Sequence, residues 1–198
     1  MSGMQTGQQP VQPTGTGTGT GSHGGRSWVR RAEGDRRASA RLRLLEGEGV
    51  IVLSDRRAPG MRVGITRIAV SSAGVFVIDA KHCKGLVHTR RSGPISNLGP
   101  DELHVGRKDY TASVDQVGQH VEAVRAALES VPGGAEIPVH AMLCLTRAEW
   151  GFASPVEIRD VCVAWPQLIA GWVRVPGSVD SPTVQQVSAT IAEHLPTA

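Results

Sequence analysis

The apolar run Val75-Phe-Val-Ile78 stops abruptly at Asp79-Ala-Lys81, and this junction constrains the fold more than any other stretch of the chain. Consecutive large apolar residues after the turn segment Ser71-Ser-Ala-Gly74 predict a buried strand. Strand side chains alternate between faces, so residues 79 and 81 point the same way and set a carboxylate beside an ammonium at the strand end. That pairing suits phosphodiester cleavage. A hard divalent cation needs oxygen ligands such as Asp79, and an attacking water needs a positive group that orients it or lowers its pKa. The plain alternative is a strand-terminal ion pair. With 18 Arg and only three Lys in the chain, a lysine at the edge of a buried strand is a poor candidate for filler.

A chain of 198 residues has room for one domain of about 150 residues and an extension. Residues 1–27 carry almost no large apolar side chain and contain Gly15-Thr-Gly-Thr-Gly-Thr-Gly21, so they are expected to be a disordered tail, leaving 28–198 as a single domain. No basic start followed by an apolar stretch occurs, nor any run near the roughly 18 apolar residues of a membrane span. A soluble, cytoplasmic protein without membrane contact is expected. Cys83, Cys144 and Cys162 are isolated and odd in number, which fits reduced core thiols better than disulfides or a zinc site.

The net charge of +3 is too small to identify a nucleic-acid binder, but its distribution is uneven. Arg26, Arg30, Arg31, Arg36, Arg37, Arg41 and Arg43 face only Glu33 and Asp35 in that stretch. Clustered Arg can hold phosphates without reading sequence. Arg30, Arg37 and Arg41 share one face of a helix and form the candidate nucleic-acid contact, with the solvated face of a helix as the alternative.

Periodicity orders the elements. A first helix is predicted over 28–46, with Trp28, Ala32, Ser39, Leu42 and Leu45 on one stripe and Asp35 in its middle. A carboxylate on a buried face is costly unless paired or metal-bound, so Asp35 is either a site residue or a sign that the helix is rotated. Strands follow at about 50–54, 64–70, 75–80 and 85–90. The polar stretch 91–110 is expected to be a surface loop or an irregular hairpin. A second helix covers about 113–129, where Val114, Val117, Val121, Val124 and Leu128 recur at helical steps. Strands at 138–145 and 156–163, a short helix from Pro166 to about Trp172, and a last helix from Pro182 to about 194 complete the order.

This order gives an α/β/α core, a central mixed sheet flanked by helices. The chain resembles the nuclease-related domain family, NERD, of the restriction-endonuclease-like PD-(D/E)-x-K superfamily, from about residue 33 to 165. The likeness is carried by Leu53-Ser-Asp-Arg-Arg-Ala-Pro-Gly60, Ile65-Thr-Arg-Ile-Ala-Val70 and Ala73-Gly-Val-Phe-Val-Ile-Asp-Ala-Lys81, with Gly85 beyond. Val-Glu-Ala-Val-Arg-Ala-Ala-Leu at 121–128 is similar to actinobacterial members.

The resemblance implies metal-dependent phosphodiester hydrolysis of nucleic acid, DNA or RNA, with Mg²⁺ or Mn²⁺ as cofactor. It puts Asp35 in place of a helix carboxylate, Asp79 and Lys81 on the D-x-K pair and Gln116 on a helix glutamine, with His120 one turn on. Asp35 and Asp79 would then bind the metal, Lys81 would position or activate the water, and Gln116 would orient the site.

At Ile65-Thr66-Arg67 the chain departs from the family's Ile-Asp-His, which supplies the first metal-binding Asp. A neutral hydroxyl is a weak ligand, and Arg67 makes the place less hospitable to a cation. Metal binding is therefore expected to be weak. Thr66 favours the alternative of a catalytically degenerate fold that binds nucleic acid or a protein partner. Asp55 is a stand-in ligand or, more simply, a turn residue. Ser113-Val-Asp-Gln116 also fits a capping box, which would occupy Gln116 locally. The histidines show no zinc-like spacing with the cysteines. Trp150, Trp165 and Trp172 are expected in the core, since no aromatic series points to base stacking.

Overall fold

The computed structural model describes residues 45, 47, 49–91, 99, 101–151 and 154–197. The expected tail lies outside the described residues, as do the expected first helix apart from Leu45 and, with it, Arg30, Asp35, Arg37 and Arg41.

Three antiparallel strands, β1 (Ile51–Arg56), β2 (Ile65–Ser71) and β3 (Gly74–Lys81), open the central sheet. Two further strands, β4 (Gly85–Arg91) and β5 (Asp101–Val105), pair as a hairpin, and β6 (Lys108–Asp109) pairs with β5. Helix α1 (Thr111–Leu128) follows. Then come β7 (Val139–Leu145), β8 (Ala148–Glu149), β9 (Val156–Ile158) and β10 (Val161–Ala164), and finally helices α2 (Pro166–Val173) and α3 (Ser181–His194). No helix among the described residues is long and apolar enough to cross a membrane.

The main sheet runs β1-β2-β3-β7-β10-β9, with β3 and β10 parallel to β7 and the outer pairs antiparallel. It is the mixed sheet flanked by helices expected from the element order. Alternation along β3 divides the core. Val75 and Val77 pack with Ile68 and Val70 under Val121, Val124 and Leu128 of α1 and Val187 and Ile191 of α3. Phe76, Ile78 and Ala80 face the other way, onto Met142, Cys144 and α2 residues Ile169, Ala170 and Val173. Each fully buried Val or Ile contributes roughly 1.5–3 kcal/mol, which makes β3 the anchor of both layers. Gly74 starts it at φ +123, where a Cβ would lie 2.4 Å from the Pro138 carbonyl oxygen that accepts the Val75 amide.

Three expectations are refined. Of the loop and the hairpin expected over 91–110 the hairpin holds: the stretch contains β5 and β6, and these extend it into a second sheet, β6-β5-β4-β8. Its Leu103 and Val105 are buried against Val114 and Val117 of α1. The strand expected at 156–163 is a hairpin, turned at Arg159 and Asp160, both with positive φ (50° and 60°). Finally, α1 begins at Thr111, with Tyr110 at its N-cap, so Ser113 lies inside the first turn and no capping box engages Gln116. Thr111 instead receives the Leu103 amide on its hydroxyl and donates its own amide to Asp109. The last helix is capped as its sequence implies, by Asp180 accepting from the Thr183 amide at 2.8 Å.

Candidate functional site

Asp79 sits at the end of the most buried strand and is only 1% exposed. The register pairing Arg67 with Ile78 brings Thr66 across from it. Both Thr66 donors converge on one carboxylate oxygen, with the amide and the hydroxyl each 3.3 Å from Asp79 Oδ1. The Ala80 amide donates to the Thr66 hydroxyl at 3.4 Å, which leaves the hydroxyl proton directed at the carboxylate. Thr66 is thus a fixed neutral partner of Asp79.

The second oxygen meets α1. His120, fully buried, places Nδ1 3.4 Å from Asp79 Oδ2 and Nε2 3.3 Å from the Val63 carbonyl oxygen. The first is a close polar contact rather than an aligned hydrogen bond, since among the described residues neither Oδ2 nor Nδ1 has a hydrogen-bond partner. Burial alone would push the Asp79 carboxyl up, but His120, the Lys81 ammonium and the Thr66 amide outweigh it and hold the carboxyl below its ordinary value. Asp79 is a buried carboxylate compensated from within the protein.

Lys81, half-buried and two residues on, shares the face of Asp79 as the D-x-K spacing requires. Gln116 and His120 are one turn apart on α1, and Gln116 carries a buried Nε2 with no partner among the described residues. With Arg62, Gln119 and His120 it lines a cavity of about 310 Å³. Asp55, at φ +50 and largely exposed, faces Arg67 at 4.0 Å. His82 contacts the Thr146 hydroxyl at 3.2 Å, and His140 stacks on Phe76. Trp150, Trp165 and Trp172 are half-buried rather than enclosed in the core as expected, with Trp150 edge-on to Trp165. The cysteines are free thiols, and burial pushes Cys83 up to about 11 and Cys144 to about 12.

This donor set is a poor match for Mg²⁺, which favours several hard oxygens, one or two of them carboxylates, and waters. Among the described residues the cluster offers one carboxylate flanked by a hydroxyl, an imidazole and an ammonium, and no three His, Cys, Asp or Glu side chains come together to hold a metal. Sequence reasoning missed the role of His120. Its signal was present, a histidine inside the apolar stripe Val117-His120-Val121-Val124.

No curated protein and no solved structure matches the chain. The family model of the nuclease-related domain matches residues 30–146, more than half of the 198 residues and the span that holds Thr66, Asp79, Lys81, Gln116 and His120. The chain therefore belongs to the nuclease-related domain family.

Proposed function

We propose that this protein binds nucleic acid on a nuclease scaffold whose own metal-dependent phosphodiester hydrolysis is weak or lost. The observation that carries the reading is the engagement of both Asp79 oxygens by protein groups, Thr66 on one and His120 on the other. A carboxylate compensated in this way has little call for a divalent cation. Charge supports the binding half of the proposal. Residues 56–91 hold eight basic side chains and a single acid, the buried Asp79, whereas residues 111–197 hold four basic and nine acidic ones. A surface polarised in this way attracts a phosphate backbone even though the chain's net charge is only +3. Free thiols support a reducing, cytoplasmic setting.

A second reading, an active hydrolase using Mg²⁺ or Mn²⁺, is favoured by the intact Asp79 and Lys81 pair and the unpaired amide of Gln116. In it Asp35 and Asp79 would hold the metal, while Lys81 and Gln116 would position the water. Incubation of labelled single-stranded and duplex oligonucleotides with the protein in Mg²⁺, beside anisotropy titrations, separates the two. Binding without cleavage is expected. Robust cleavage that disappears in Lys81→Ala would install the hydrolase reading instead.

A further inference from the structure

The loop between β1 and β2, Arg57-Ala-Pro-Gly-Met-Arg-Val-Gly64, is pinned along its length. The Arg57 amide donates to the Pro196 carbonyl at 2.9 Å, and a bridge joins Arg56 to Thr197. The Met61 amide closes a turn on the Ala58 carbonyl at 3.1 Å, and Ala58 itself is buried. At the far end the Val63 carbonyl meets His120. Arg62 projects from this fixed frame, exposed, beside the cavity it shares with Gln116 and Gln119.

The charge of that cavity is one-sided, and its donors outnumber its acceptors. Arg62 brings five N–H donors and no acceptor, and each glutamine brings an amide NH₂ beside its carbonyl oxygen. Among the described residues Gln116 Nε2 is buried with no acceptor, and no carboxylate lines the cavity. A buried donor without a partner points to a ligand that supplies one. Among the described lining residues there is no Phe, Tyr or Trp, and the one ring present, the His120 imidazole, is fully buried, so the cavity offers no exposed platform on which a base could stack.

We infer that this cavity is a backbone-phosphate subsite for a nucleic acid strand, in which the Arg62 fork takes phosphate oxygens and the amides of Gln116 and Gln119 complete their coordination. The inference rests on the nucleic-acid reading above and goes further by fixing where the strand is held. Arg suits the role because its planar fork matches two phosphate oxygens at once. His120 acts here as a positioning residue, holding the loop that carries Arg62 through Val63. Contacts of this kind fix the register of a strand without reading its sequence.

The test is anisotropy of labelled mixed-sequence oligonucleotides, duplex and single-stranded, against the full chain from about 50 to 200 mM salt. Arg62→Gln should weaken binding roughly tenfold for every sequence and flatten the salt slope by about 0.9 on duplex or about 0.7 on a single strand. Arg62→Lys should recover the slope but not the full affinity. Arg125→Gln, an exposed change near the far end of α1 in the acidic half of the chain, serves as the control and should leave the slope as it is. Wild-type binding with Arg62→Gln indistinguishable from Arg125→Gln would overturn the subsite while leaving the nucleic-acid reading intact. No wild-type binding at about 50 mM salt would remove that reading and the subsite with it. Displacement of the oligonucleotide by inorganic phosphate at constant ionic strength, lost in Arg62→Gln, would reassign the cavity to free phosphate.

Discussion

His120 joins the C-terminal end of β3 to the β1–β2 loop, with Nδ1 3.4 Å from Asp79 Oδ2 and Nε2 3.3 Å from the Val63 carbonyl oxygen. Both side chains of this contact are essentially out of solvent. Removing the ring leaves the buried Asp79 carboxylate without its neighbour on α1 and the Val63 carbonyl without its contact to the ring, a loss of the kind that costs about 3–5 kcal/mol. His120→Ala should lower the denaturant midpoint accordingly. In the double variant with Asp79→Asn the loss should be well short of additive, because the second change removes the stranded charge. Additive losses would mean that the two residues stabilise the fold independently.

The pH dependence of stability follows from the same contact. The Asp79 carboxyl is held below its ordinary value in the folded protein, so the unfolded chain binds its proton more readily. Its contribution is fully present above the unfolded value of about 4 and is lost as pH falls through the folded value. The stability gap between wild type and Asp79→Asn, read from urea unfolding, should be flat from about pH 7 to 5 and close below about pH 4. A gap that widens in acid would mean that burial, not His120 and Lys81, governs this carboxyl.

What could be read from the sequence divides along physical lines. Val75-Phe-Val-Ile78 and the valine stripe of α1 announce themselves because burial dictates their period, and both elements lie where that period puts them. The second sheet was hidden. β5 reads Asp-Glu-Leu-His-Val, whose few apolar positions gain meaning only once Leu103 and Val105 pack on α1. The 156–164 hairpin escaped because Arg159 and Asp160 take positive φ at a turn with no glycine to mark it. In the site, the D-x-K spacing determined that Asp79 and Lys81 share a face, and the family comparison flagged Thr66. The partner of Asp79 on α1 was not legible, since a histidine one turn beyond Gln116 carries no sign of which residue it will face across the core.

The thiols offer a test of core packing. Burial pushes Cys83 to about 11 and Cys144 to about 12, while Cys162 is raised by partial burial and by nearby Glu157. The thiolate is the reactive form, so the folded protein at pH 8 should react slowly with a disulfide reagent, and Cys162, the half-buried one, should react first. In urea all three should react at once. Labelling of Cys144 in the folded protein as quickly as Cys162 would mean that β7 is not held between its neighbours.

Thr66→Asp tests whether this one substitution separates the chain from a metal-binding centre. The new carboxylate would stand where the Thr66 hydroxyl now contacts Asp79 Oδ1, at 3.3 Å. Two buried carboxylates that close cannot both ionise without a cation between them, so the variant should be less stable than wild type in chelator. Added Mn²⁺ should raise its midpoint of thermal unfolding in proportion to the logarithm of metal concentration above the dissociation constant, and calorimetry should show saturable binding. Wild type should show neither effect in the same range, because Thr66 donates twice to one Asp79 oxygen and the His120 ring stands 3.4 Å from the other. If His120 is what keeps the cation out, Thr66→Asp should bind Mn²⁺ more tightly when combined with His120→Asn, which withdraws the ring from Asp79 while keeping a polar group on α1. Equal Mn²⁺ affinity in wild type and Thr66→Asp would show that position 66 does not determine metal binding here.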